Sequence, residues 1–292
     1  MSLKLSHNQA VVLMVLVAAM WSIAGVITRH LEQARSFEIT FWRSLFTMAS
    51  LLVILPFFQG REVFAKIRHG GRSLWVSGMC WSVMFTAFMV ALTMTTVANV
   101  LVTLSLGPFF TALVARIFIG HRIPLRTWIA IAVAGAGIVY MYGTQMSGGQ
   151  FGGILVALCV PVAGAVNWTV TQRANARGQN IDLVPAVLIG AAVSTLATLP
   201  LALPLQATAH DVGLLAVLGL VQLAIPCALA VICARVLAAP EISLLALLEV
   251  IFGILLAWVG AGEVPGATVL TGGALVIGAL AANEWVGWRQ RA

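Results

Sequence analysis

The 292-residue sequence predicts an all-α integral membrane protein, with ten transmembrane helices arranged as two inverted five-helix repeats around a central cavity. Three observations carry this reading. Hydrophobic residues make up 61% of the chain and charged residues 9%, with a mean hydropathy of +1.04, whereas soluble domains carry roughly 25% charge. Apolar runs of about 20 residues, the length that crosses a bilayer, recur throughout and are joined by connections too short to form a soluble domain. Two stretches also repeat one layout of apolar run, short turn with proline and second apolar run. At an offset of 142, Leu106, Phe110, Leu113, Ala115 and Gly120 meet Leu248, Phe252, Leu255, Ala257 and Gly262; at 141, Pro124 meets Pro265 and Gly137 meets Gly278. Such a recurrence near half the chain length points to duplication, with repeats at 1–145 and 146–292. Five helices per repeat is odd, so the second copy enters the membrane from the opposite side, as in many secondary transporters.

The predicted helices span about 8–29, 37–58, 72–93, 95–117, 124–142, 150–172, 182–204, 209–234, 239–260 and 265–287. Of the 16 lysines and arginines, Arg43 lies inside the second helix, and sorting the other 15 over the connections sets the orientation. One side receives Lys4, Arg61, Lys66, Arg68, Arg72, Arg116, Arg122, Arg126, Arg173, Arg177, Arg235, Arg289 and Arg291; the other receives Arg29 and Arg35. Cytoplasmic loops hold the Lys/Arg excess, so both termini are expected in the cytoplasm. The sequence pI of about 10.1 is therefore a topology signal, and nucleic acid is not an expected partner.

The first helix follows a short polar leader and is followed by many more spans, which reads as an uncleaved helix; it carries Trp21 at depth. The second contains TFWRSLF, with Arg43 roughly two turns in, where a charge costs on the order of 2.5–3.5 kcal/mol at full depth and needs a partner or water. Trp42 stands beside it. The third begins near Trp75, an interfacial anchor, and carries Trp81 deeper. On the fourth, Asn99 and Thr103 lie one turn apart with Gly107 a turn further, Thr96 and Ser105 flanking, and Pro108 then interrupts the helical hydrogen bonds.

The fifth follows the turn GHRIP at 120–124 and has Trp128 near its start. On the sixth, Asn167, Trp168 and Thr171 form a second polar and aromatic stripe. The eighth aligns Gln222 with Pro226. The ninth carries Glu249, the carboxylate placed near mid-membrane, while Asp182, Asp211, Glu241, Glu263 and Glu284 fall near ends. The tenth has Ala274, Gly278 and Ala282 at small-xxx-small spacing, a seam for close packing within one chain or between two copies, and ends near the anchors Trp285 and Trp288.

The polar stripes read either as cavity lining or as hydrogen bonds between helices, and Glu249 as a coupling site, a structural carboxyl or the ion-pair partner of Arg43. Pro108 and Pro226 are candidate bending points. Cys80, Cys159, Cys227 and Cys233 all lie in apolar runs without CxxC spacing, which predicts no disulfide or metal site. His7, His30, His69, His121 and His210 fall at ends or loops, so no buried histidine relay is expected. The chain lacks GxxxxGK[ST], and TLSLG around Ser105 lacks the leading glycine of a nucleophile elbow, so neither a P-loop ATPase nor an intramembrane serine hydrolase is predicted.

FWR early in the second helix, LGPFFTALVA in the fourth and LLEVIFGILLAWVGAGEVP in the ninth, within the ten-helix inverted-repeat layout, resemble the EamA branch of the drug/metabolite transporter superfamily. Over the whole chain the sequence looks most like the YddG-type aromatic amino acid exporters. The resemblance implies a basket-shaped bundle in the bacterial inner membrane, a cavity lined by both repeats, and efflux of amino acids or related metabolites, without a cofactor. The expected substrate cavity is Trp21, Arg43, Trp81, Asn99, Thr103, Asn167, Trp168 and Gln222. The tryptophans would supply stacking surface and the polar groups would hydrogen-bond a small zwitterion. An exporter of amphipathic cations attracted by Glu249 is the alternative, and a non-transporting membrane receptor a remoter one.

Overall fold

The computed structural model describes residues 5–60, 62–68, 70–119, 125–143, 151–176, 183–237 and 239–289, and every regular element among them is helical. The expected turn at 120–124 lies outside the described residues, as do Lys4, Arg61, His69, Arg177, Asp182 and Arg291. The helices in chain order are α1 (His7–Thr28), α2 (Ser36–Gln59), α3 (Glu62–Arg68), α4 (Arg72–Met94), α5 (Val97–Leu104), α6 (Gly107–Ile119) and α7 (Leu125–Gly143). They continue with α8 (Phe151–Ala176), α9 (Val184–Ala202), α10 (Ala209–Val217), a π-helical segment (Leu218–Ala224), α11 (Ile225–Cys233), α12 (Ala239–Ala261) and α13 (Ala267–Arg289).

Seven helical stretches among the described residues are long and apolar enough to cross a membrane: α1, α2, α4, Val97–Phe118, α8, α9 and Ala209–Cys233. Trp128–Gly137, Leu245–Ala261 and Ala267–Asn283 are shorter apolar stretches. Many large apolar side chains face outward, including Val12, Val53, Phe57 and Val259, each at least 70% exposed; in water such a surface would aggregate, whereas a bilayer covers it.

The structure departs from the sequence expectation at three places. A short helix, α3, occupies the connection after α2 and buries Val63. The fourth apolar run is two helices rather than one. Thr96 caps α5 by accepting from the Asn99 amide, and Ser105 and Leu106 close it with short-range bonds to Val102 and Thr103. Pro108, with no N–H to continue the ladder, sits in the first turn of α6, where none is needed. In the eighth run the helix widens into the π segment, and Pro226 likewise falls in the first turn of α11. Pro108 thus starts a helix after an irregular turn instead of bending a continuous one, whereas Pro226 follows the π segment inside an unbroken helical run from Ala209 to Cys233.

Helix α4 packs along α8 and α9, α1 along α12 and α11, α2 along α9 and the π segment, and α7 along α13. Small residues permit these approaches. A Cβ on Gly137 would lie 2.9 Å from the Gly272 carbonyl oxygen and 3.2 Å from Val276 Cγ2. The seam between α7 and α13 therefore runs through Gly272 and Val276. Ala274, Gly278 and Ala282 face outward, with open space beyond Gly278, so of the two expected uses, within one chain or between copies, the first is not made here.

One end of the bundle gathers the links α1–α2, α4–α5, α9–α10 and α12–α13, and three carboxylates tie them together. Glu38, in the first turn of α2, accepts from the Gln206 and Ala207 amides at 2.8 Å each. Asp211 accepts from the amides of Glu32 (2.7 Å), Gln33 and Ala34 (3.0 Å each) and Thr208 (3.3 Å). Glu263 receives Arg29 Nε at 2.8 Å and the Val97 amide at 2.7 Å. Links of this kind leave several backbone donors without helical partners, and a fixed carboxylate satisfies more than one at once.

Candidate functional site

A cavity of about 150 Å³ lies between α1, α2, α4, the α5–α6 junction, α8, the π segment and α12. One water needs about 10–15 Å³ by the same measure, so the space admits a small organic molecule. Its walls are mainly apolar and aromatic.

Trp81, Phe85 and Phe88 line it from α4 at i, i+4 and i+7, one helical face. The Trp81 ring stands edge-on to Trp168 of α8, with centroids 5.9 Å apart and planes at 87°, and tilts against Phe85 at 5.5 Å. Trp81 holds this position because α9 presents Gly190 beneath it. A Cβ there would collide with Trp81 Cβ and reach 3.0 Å from both the Gly78 oxygen and the Ser82 nitrogen. Trp21 of α1 completes the aromatic lining.

The polar part of the wall centres on Arg43, which at 1% exposure is the largest fully buried side chain among the described residues. Its Nη1 donates to Gln222 Oε1 at 3.2 Å and its Nη2 to the Phe85 carbonyl at 2.9 Å, while the guanidinium stands 5.7 Å from the Phe88 ring centroid. Gln222 in turn donates from Nε2 to the Trp21 carbonyl at 3.4 Å. The π turn places Gln222 toward α2, and Gly219 in the same turn allows contact: a Cβ there would sit 2.5 Å from Phe46 Cβ and 2.8 Å from the Arg43 oxygen. Single π turns inside α-helices often mark functional positions.

Glu249 enters the cavity wall from α12 and is partly exposed there. Among the described residues it forms no salt bridge and no hydrogen bond, so the ion pair with Arg43 that the sequence left open is not made.

Of the remaining candidates, Pro108 lines the cavity with Gly107 and Ser105 at the α5–α6 junction. Asn99, Thr103, Asn167 and Pro226 do not line it. Asn99 Nδ2 donates to Thr95 Oγ1 at 2.9 Å and Thr103 Oγ1 to the Asn99 carbonyl at 2.8 Å. Asn167 Oδ1 accepts from Ser77 Oγ at 2.6 Å, joining α8 to α4. Sequence reasoning missed Phe85, Phe88, Met84, Pro161 and Cys227 of the lining. The two phenylalanines share the face of Trp81, and helical spacing from that residue was the available signal.

A bundle of apolar helices enclosing an aromatic cavity with a few buried polar groups is the architecture of a membrane transport protein. The profile of the EamA-like transporter family matches residues 8–143, the first half of the chain. The chain is 25% identical over 279 residues to the pseudopaline exporter CntI of Pseudomonas aeruginosa, in each of two strains, covering 92% of this chain and 94% of that protein. It also shares its fold with a protein of known crystal structure, with a TM-score of 0.66 at 17% identity over 98% of this chain and 100% of the other. These similarities support a membrane transporter and not an enzyme.

Proposed function

We propose that the protein is a secondary transporter that exports aromatic and other neutral amino acids, or related metabolites, across the bacterial inner membrane by alternating access. The observation that carries this reading is the cavity itself: Trp21, Trp81 and Trp168 offer stacking surface, while Arg43, Gln222 and Glu249 bring opposite charges and an amide to one small space. An aromatic zwitterion needs both kinds of wall. Ten helices in two inverted repeats, 1–145 and 146–292, with both termini cytoplasmic, would supply the exchange between two access states. The match of the family profile to the first repeat interval supports that division.

The test is uptake of labelled phenylalanine, tryptophan and a non-aromatic neutral amino acid into proteoliposomes, with and without an imposed pH gradient. Protein-dependent flux that favours the aromatic substrates is expected; absence of flux for all three sinks the substrate assignment. A second reading, export of an amphipathic cation, is favoured by Glu249, a partly exposed carboxylate in the cavity wall that forms no salt bridge among the described residues. Pseudopaline belongs in the same panel because of the exporter relative.

A further inference from the structure

We infer that α5 is the gate of the cavity at the end where the carboxylates gather, hinged at the 105–108 junction and latched by the Arg29–Glu263 pair.

Helix α5 is only eight residues long, and every residue from Val97 to Thr103 is buried. It stands between the cavity and that end of the bundle. At its inner end the Leu104, Ser105, Gly107 and Pro108 junction forms cavity wall, and there the helical ladder is already broken. At its outer end the Val97 amide donates to Glu263 Oε1 at 2.7 Å. Arg29 grips the preceding turn, donating from Nη1 to the Leu92 carbonyl at 2.9 Å and from Nη2 to the Thr95 carbonyl at 3.0 Å, while its Nε meets Glu263. One ion pair therefore joins the end of α1, the α4–α5 link and the α12–α13 link.

The three carboxylates at this end differ in a way that assigns the latch. Glu38 and Asp211 are 1% and 0% exposed and hold backbone amides, as fixed staples do. The Arg29 and Glu263 side chains are 29% and 18% exposed, so water can take over their charges at small cost when they part. The seat of α5 is also shaped for removal and return. Its side chains rest in notches left by glycines: a Cβ on Gly25 of α1 would lie 2.5 Å from Val97 Cγ1, one on Gly273 of α13 would lie 3.1 Å from Val102 Cγ2, and one on Gly253 of α12 would meet Leu101 Cδ1. Close-packed contacts of this kind favour one docked position over a range of loose ones. A swing of α5 about its broken inner end would connect the cavity to the outside at this end, whatever the substrate or the mode of coupling.

Spin labels at Met94 and His30, both exposed, report the gap between the α4–α5 link and the end of α1. They are introduced as cysteines into the full chain with its four native cysteines replaced, in lipid nanodiscs. Glu263→Gln, Arg29→Gln and Gly25→Ala are each expected to move a measurable share of the distance distribution to longer values. Raising salt from about 0.1 to about 1 M should act in the same direction on the parent protein by screening the exposed pair, which keeps the test valid if a variant fails to fold. A single distance unchanged by salt and by every folded variant overturns the gate and leaves Arg29–Glu263 a static staple.

Discussion

Arg43 and Gln222, 179 positions apart in sequence, share a hydrogen bond of 3.2 Å in the buried wall of the cavity. The bond joins α2 to the π segment, and Gln222 passes the connection to α1 through the Trp21 carbonyl. Replacing Gln222 with Leu keeps the bulk but removes an acceptor from a buried guanidinium. An unsatisfied buried donor costs about 1–3 kcal/mol, more when charged. Gln222→Leu should therefore lower the thermal midpoint in detergent by several degrees, whereas Val12→Ala on the outward face should leave it nearly unchanged. Equal midpoints for the two variants would show that Arg43 finds other partners.

Glu249 supplies the cavity with a carboxylate that shares the space with Arg43 but forms no salt bridge with it. In the proposed zwitterion exporter it receives the substrate ammonium. A hydrogen bond to a charged group is worth about 1.5–3 kcal/mol, so Glu249→Gln should raise the KM for a zwitterionic substrate roughly ten- to a hundredfold while folding is retained. The KM for an N-acetylated analogue should barely move. Parallel changes for both compounds would place Glu249 outside recognition.

Trp168 faces Trp81 edge-on across the cavity. Aromatic pairs contribute about 0.5–1.5 kcal/mol beyond burial, so Trp168→Ala should weaken aromatic substrates roughly two- to tenfold. A small aliphatic substrate should be affected less. Trp168→Phe keeps a ring and should recover most of the difference; if it recovers none, Trp168 acts on helix packing rather than on the ligand.

The apolar runs announced the helices because a bilayer demands long, internally hydrogen-bonded segments, and that demand is written in composition alone. The break between α5 and α6 was half visible: Pro108 showed that the ladder fails, but not that Ser105 and Leu106 would close one helix before Pro108 opened another. Trp21, Arg43, Trp81, Trp168, Gln222 and Glu249 reach one cavity, and their signal was polarity or aromaticity at depth. Asn99 and Asn167 carried the same signal yet serve hydrogen bonds within and between helices. Depth cannot separate the two uses, because which face of a helix meets a neighbour is settled by packing. The exclusively backbone role of Asp211 was legible in part. Thr208 and Asp211 have the spacing of a capping box, although nothing local reveals the three amides that Asp211 receives from the 32–34 segment.

That segment makes Asp211 the most heavily committed carboxylate among the described residues. It is 0% exposed and accepts from four backbone amides, three of them in the link between α1 and α2. The structure shows no other protein acceptor for those amides among the described residues. Asp211→Ala should thus cost at least about 1–3 kcal/mol, the penalty for a single orphaned donor, and lower the thermal midpoint more than Glu32→Ala, whose side chain is exposed. Asp211→Asn keeps one acceptor oxygen, and its second position would present an NH2 group to donors. It should therefore fall between wild type and Ala. The ordering wild type, Asn, Ala in thermal midpoint is the expected result, and an Asn variant as stable as wild type would show that charge at this position contributes little beyond shape.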